Sequence, residues 1–327
     1  MKKALRKISV FGALAGFAAI LVSAQDSSGS RGGIEVLPVQ GSVYMIHGAG
    51  GNIAIQIGSE GVVLVNTGAA SMSPQVIEAI RKLSDKPLQY IINTSADGDF
   101  VGGNDNVRKA GVTITGANVA GNLTDAGVGA QIIAHENLLN RMSAPTGKAS
   151  PFPFGAWPTE TYVSGQKELF FNDEPIEVQY QPAAHTDGDS IVVFRHADVI
   201  ATGDVFRTDS YPIIDLARGG SVQGELDALN HLLDVMIPKH DEEGGTYAIP
   251  GHGRICDEFD VLEYRDMVTI IRDRIQASIK KGQTLAQIKD AGLTKDYDGR
   301  FGSKSGPWTT DMFVEAIYNS LTQKSKK

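Results

Sequence analysis

Five residues of this chain have side chains and settings that could do chemistry together: Asp97, Asp99, His185, Asp204 and His252. Each follows a short apolar run of the kind that forms a buried strand. Asp97 and Asp99 lie in Thr94-Ser95-Ala96-Asp97-Gly98-Asp99-Phe100, just past the run 88–93. His185 lies in Ala184-His185-Thr186-Asp187-Gly188-Asp189, after 176–182. Asp204 ends Ala201-Thr202-Gly203-Asp204 after 199–202, and His252 sits in Pro250-Gly251-His252-Gly253 after 246–249. In layered α/β folds the loops at one edge of the strands converge, so residues far apart in sequence can meet there. Three carboxylates and two imidazoles gathered in one cleft repel one another and lose hydration unless a cation neutralises them. The chemistry to expect is therefore that of a bound metal ion.

Plainer roles are open to several of these residues. Asp97 and Asp99 can cap a turn before the next helix, and His185 can be a solvated loop histidine beside Asp187 and Asp189. Asp204 is harder to explain alone, because a lone buried carboxylate is costly. His47, His135, His196, His231 and His240 fit none of these loops and read as structural or solvated. Trp157, with Phe152 and Phe154, can line a substrate cleft or pack on the protein's own core. Cys256 reads as a small buried filler rather than a nucleophile.

The elements that must position the five residues follow from hydrophobic period and turn residues. Strands are expected at 34–39, 43–47, 52–57 and 62–66, each bounded by glycine-containing turns. Val76, Ile77, Ile80 and Leu83 have helical spacing and predict a helix over 73–83. After the strand 88–93, a helix is expected over 125–142, then a long loop rich in proline, glycine and aromatics over 144–162. Strands at 167–171, 176–182, 190–195 and 199–202 precede a helix over 224–236 and a strand at 246–249. Phe259, Leu262, Val268, Ile271, Ile275 and Ile279 mark one face of a long helix that Gly282 closes. Thr284 and Gln287 have capping-box spacing, and Phe313, Ile317 and Leu321 mark a final helix. Strand runs followed by helices in each half predict two packed sheets covered by helices, in a single domain over 34–327.

Composition excludes several functions. The formal net charge is −8, which disfavours nucleic acid and anionic lipid as partners and leaves a small-molecule substrate. With one cysteine there is neither an intrachain disulfide nor a thiolate zinc cluster. Lys2, Lys3, Arg6 and Lys7 precede an apolar run over 8–22 and then Val22-Ser23-Ala24. This is the pattern of a secretory signal peptide over 1–24, with a flexible leader over 25–33. The protein is expected to be exported, periplasmic or secreted, and free of the membrane after cleavage.

The order of these loops resembles that of the metallo-β-lactamase superfamily. Gly50-Gly51-Asn52 and Val62-Val63-Leu64-Val65-Asn66-Thr67-Gly68 resemble its first strands. Residues 93–104 stand where its His-x-His-x-Asp-His-x-Gly-Gly-Asn motif belongs, and His185, Gly203-Asp204 and Pro250-Gly251-His252-Gly253 match its later motifs in order. The resemblance implies a four-layer αββα sandwich of two mixed sheets. It also implies a metal-dependent hydrolase with one or two divalent metal ions, zinc by family. Carried over, Asp97, His185 and Asp204 would surround one ion, and Asp99, His252 and Asp204 the other. Asp99 would be the catalytic residue that positions or deprotonates the attacking water. An ester, lactone, amide or phosphoester is the expected substrate.

This chain departs from the pattern at the first motif. Ser95, Asp97 and Phe100 stand where the family has histidines, and Asn66 stands where it usually has aspartate. The remaining oxygen-rich set makes manganese or iron possible and efficient β-lactam hydrolysis a poor expectation. A non-catalytic descendant that binds a small ligand in the old cleft is the alternative. Restoring one imidazole by Asp97→His is expected to raise zinc affinity.

Overall fold

The computed structural model describes residues 33–112, 129–143, 150–163, 165–240 and 244–322. The expected signal peptide lies outside these residues, as does all of the expected leader but its last residue. From Ile34 onward the described residues fall in one compact unit. One sheet is formed by β1 (Glu35–Gln40), β2 (Val43–His47), β3 (Ile53–Ile57), β4 (Val62–Val65), β5 (Leu88–Ile92), β6 (Gln131–His135) and β7 (Glu160–Tyr162), in that spatial order. The second contains β8 (Gln166–Phe171), β9 (Glu174–Gln181), β10 (Asp189–Phe194), β11 (Val199–Gly203) and β12 (Tyr247–Pro250), also side by side in chain order. Both sheets are mixed. Hairpins make β1 to β4 and β8 to β11 antiparallel, whereas β4 to β7 and the pair β11–β12 run parallel.

The helices are α1 (Ser73–Leu83), α2 (Gly98–Val101), α3 (Asn104–Lys109), α4 (Glu136–Ser143), α5 (Val222–Val235), α6 (Glu258–Lys280), α7 (Leu285–Asp290), α8 (Asp298–Phe301) and α9 (Thr310–Thr322). The alternation of side chains along a strand explains the layers. In β4, Val63 and Val65 enter the core between the sheets, with Val178, Val192, Phe194 and Val199. Their neighbours Val62 and Leu64 turn outward, into the core shared with Val76 and Ile80 of α1. In β10, Ile191 and Val193 likewise leave the central core for the one built with Leu229 and Leu232 of α5, Ile271 and Ile275 of α6, and Phe313 of α9. The result is the expected αββα sandwich. Among the described residues no helix is long and apolar enough to cross a membrane.

Local chemistry sets the ends of these elements. Asp257 and Asp260 form a capping box at the start of α6, and Thr284 and Gln287 form another at the start of α7. Gly282 takes φ 76° just after α6, a conformation that suits glycine.

Three expectations need correction. The helix expected over 125–142 is instead strand β6 followed by α4, as far as the described residues reach. Ile132, Ile133 and Ala134 are all buried, and so short an apolar run has no period by which to tell strand from helix. The aromatic loop expected over 144–162 ends in a strand, β7, which pairs with β6. Phe259 is exposed, and α6 buries Val261, Tyr264 and Met267 before the expected Val268, Ile271 and Ile275.

Candidate metal centre

All five residues singled out in the sequence come to one edge of the two sheets. Asp97 and Asp99 follow β5, His185 lies in the loop between β9 and β10, and Asp204 and His252 follow the parallel strands β11 and β12. Gly203 pairs with Pro250 in that parallel ladder, so Asp204 and His252 leave the sheet side by side. The two sheets are tied at this edge by a bond from the Ser190 N–H to the Thr94 carbonyl, 2.9 Å.

Asp97 occupies the N-cap position of α2 but makes no capping hydrogen bond. Its carboxylate turns to the cleft instead. Oδ2 lies 2.7 Å from His185 Nε2, and Oδ1 lies 2.7 Å from Arg218 Nη1. His185 is buried, and its Nδ1 lies 2.6 Å from the Ile213 carbonyl. Nδ1 must therefore donate there, which aims Nε2 into the cleft. The buried Asp204 approaches the same nitrogen, with Oδ2 at 3.8 Å, and its Oδ1 lies 3.7 Å from Arg207 Nη1. That Oδ1 has no hydrogen-bond partner.

Asp99 and His252 form a second pair. Asp99 Oδ2 is 3.0 Å from His252 Nε2, which lies 3.9 Å from Asp204 Oδ1. The substituted positions border the same cleft. Ser95 Oγ is 3.3 Å from Asp97 Oδ2, and the fully buried Phe100 ring meets His252 edge-on at 5.6 Å. Phe100 fits because residue 51 is glycine; a Cβ there would come within 2.3 Å of the ring. Gly251 has a similar reason, since its Cβ would lie 2.6 Å from the Gly203 carbonyl and 3.0 Å from Asp204 Oδ1. The buried Asn66 exchanges hydrogen bonds with Thr94.

Protonation follows these contacts. Burial opposes ionisation of Asp97, yet the bond with His185 and the nearby His185 and Arg218 charges outweigh it. The carboxyl is held well below its usual range. Burial also opposes a charge on His185, but Asp97, Asp204 and Asp189 push it up to about 10. Asp204 is raised by its burial, against the pull of His185, Arg207 and His252. Burial lowers His252, and the bond with Asp99 and the charge of Asp204 more than reverse this.

Two residues were missed in the sequence, Arg207 and Arg218. Arg207 stands three residues past Asp204, and that proximity was a readable signal in an acidic cluster. Arg218 carried no signal. It ends a single 3-10 turn, Leu216–Arg218, whose N-cap Asp215 holds both its backbone N–H and its Nε. Beyond it opens a cavity of about 530 Å³, lined by Asn137, Asn140, Arg141, Phe152 and Arg218 among others. Trp157 and Phe152 pack against the small core around Phe100 and Leu138, so the aromatic loop both lines the cavity and packs on the protein's own core.

Among the described residues, Asp97, His185 and Asp204 form one group able to hold a metal ion, their ligand atoms all within 4.8 Å of one another. Asp99, His252 and Asp204 do not form such a group. The first trio fits a single divalent cation. It offers two carboxylates and an imidazole oriented through Nδ1, and the buried Asp204, whose ion-pair partners stand off at 3.7 to 3.9 Å, has room for a cation.

Fold and site together define an αββα protein with a cluster of donors able to hold a metal ion. The chain belongs to the metallo-β-lactamase superfamily, whose model matches residues 38–240. Among solved structures it is similar to a stereoselective inverting sec-alkylsulfatase from Pseudomonas sp., with TM-score 0.58 and 14% identity over 88% of this chain and 50% of that one. It is also similar to a metallo-β-lactamase from Pontibacter korlensis, with TM-score 0.53 and 16% identity over 72% of this chain and 99% of that one. The chain thus spans half the length of the alkylsulfatase. No curated protein matches it.

Proposed function

We propose that this protein is an exported hydrolase that works with one divalent metal ion held by Asp97, His185 and Asp204. The observation that carries this reading is the meeting of Asp97, His185 and the buried Asp204, whose ligand atoms lie within 4.8 Å of one another. An ion bound there would acidify a water and polarise the oxygen of the scissile bond. Asp99 is the catalytic carboxylate of this reading. It faces His252 Nε2 at 3.0 Å and lies partly open to the cleft, so it can accept a proton from the attacking water. His252, whose proton affinity Asp99 raises, can hold a proton at Nε2 for the leaving group. The substrate is a small ester, lactone, amide or phosphoester, and the alkylsulfatase fold likeness adds sulfate esters to the classes worth assaying.

A second reading, a non-catalytic binder of a small ligand, gains support from Arg207 and Arg218. These already neutralise part of the acidic cluster, so the cleft can persist without an ion. Metal analysis and a hydrolysis panel separate the two. The enzyme should take up about one equivalent of Zn²⁺, Mn²⁺ or Fe²⁺, and Asp204→Asn should abolish both uptake and turnover. A wild-type protein that takes up no ion and turns over no member of the panel would leave the binder.

A further inference from the structure

Arg218 is placed on the metal trio by a scaffold of its own. Asp215 accepts its Nε at 2.6 Å and its backbone N–H at 3.0 Å, and Arg141 Nη2 donates to its carbonyl at 2.5 Å. None of these three contacts involves the trio. So anchored, the guanidinium sets Nη1 2.7 Å from Asp97 Oδ1 and Nη2 3.4 Å from His185 Nε2. It therefore borders two of the three donors that an ion would use.

We propose that Arg218 is a built-in cation that competes with the metal ion for Asp97, at the side of His185, and so weakens and tunes metal binding at this centre. The inference rests on the reading that Asp97, His185 and Asp204 hold an ion. An incoming divalent cation meets a fixed like charge at contact distance, where Coulomb repulsion is large even in a polarisable protein medium. It must also share Asp97 with a guanidinium that cannot lose its proton. A lysine would be a looser rival, because its single ammonium could not span Asp97 and Asp215 at once.

Equilibrium dialysis of the metal-stripped protein against Zn²⁺ and Mn²⁺ tests this without any activity assay. Arg218→Met keeps the apolar stem and removes the charge, and Arg218→Gln, which keeps a donor toward Asp97, serves should the methionine variant not fold. Thermal melting identifies which variants are folded. The expected result is binding at least about tenfold tighter in the neutral variants than in wild type, the direction that removal of a contacting like charge dictates. Binding by wild type with equal or weaker binding by the folded variants would overturn the inference alone. No binding by wild type or variants would overturn the metal reading and the inference with it.

Discussion

The loop that carries His252 hangs on one buried side chain, and that makes its contribution measurable. Asn52 Nδ2 donates to the Pro250 carbonyl and to the Gly253 carbonyl, each at 2.9 Å, while its Oδ1 faces His47 Nδ1 at 2.9 Å. Its backbone N–H also donates to Gly251, at 2.8 Å. The substitution Asn52→Ala keeps the last bond and removes the others. Each lost hydrogen bond is worth about 1 kcal/mol, and a carbonyl left buried and unpaired costs about 1–3 kcal/mol more. Only the bond to Pro250 is fully buried, and the part-buried groups of the other two can turn to water, so one lost bond and one unpaired carbonyl set the expected loss at about 2–4 kcal/mol. Urea unfolding should show a lower midpoint at unchanged slope. The loosened loop should also let His252 drift from Asp99, and its imidazole titration, followed by NMR, should move down toward the ordinary histidine value. A loss below about 0.5 kcal/mol, within the range of ordinary surface substitutions, together with an unmoved His252 titration, would refute the idea that Asn52 holds this loop.

Two further outcomes follow from the buried charges. In the metal-free protein, His185 is pushed up to about 10 from 6.5, so its ion pair is fully stabilising below 6.5 and is lost as pH rises through about 10. Melting temperature in chelator should fall across that interval, and a flat profile would show that His185 carries no such proton. Glu225 of α5 is fully buried with neither carboxyl oxygen hydrogen-bonded, and burial holds its carboxyl well above the usual value. Glu225→Met should therefore stabilise the fold by about 1–3 kcal/mol, seen as a higher urea midpoint; destabilisation would reveal a partner for this carboxyl.

What the sequence made legible was whatever has a short-range physical signature. The strands β2 and β3 and the helix α1 announced themselves through period and turns, and the cap Thr284 acts where a helix start needs an acceptor. The five site residues were found because each sits just past a strand, and strand ends gather at one edge in a layered fold. β6 was misread because Ile132 and Ile133 are buried on both sheet faces, which erases the alternation that marks a strand. Arg218 was invisible for a different reason. Its position depends on a turn between β11 and α5 whose path is set by tertiary bonds, Asp215 to His185 and Arg141 to Arg218 among them. No local spacing encodes those bonds.

Arg218 also changes the meaning of the departures in the first motif. Taken one by one, Ser95, Asp97 and Phe100 are missing imidazoles, and restoring them should strengthen zinc binding. In the folded protein they form a single arrangement. Ser95 is small and buried, and its hydroxyl reaches Asp97. Asp97 is the counter-ion that a guanidinium at 2.7 Å requires. Phe100 fills the space over Gly51 and gives His252 an apolar edge to lean on. An imidazole at position 97 alone would face Arg218 with no negative charge between them, and a protonated imidazole there would repel it. Asp97→His therefore exchanges a ligand and removes a counter-ion in one step, and the second effect works against the metal. Only when Arg218 is neutralised as well does the added imidazole meet the cleft as a free donor. The carboxylate at 97 is thus tied to the arginine at 218, and an imidazole at 97 brings no profit to metal binding while Arg218 keeps its charge beside it.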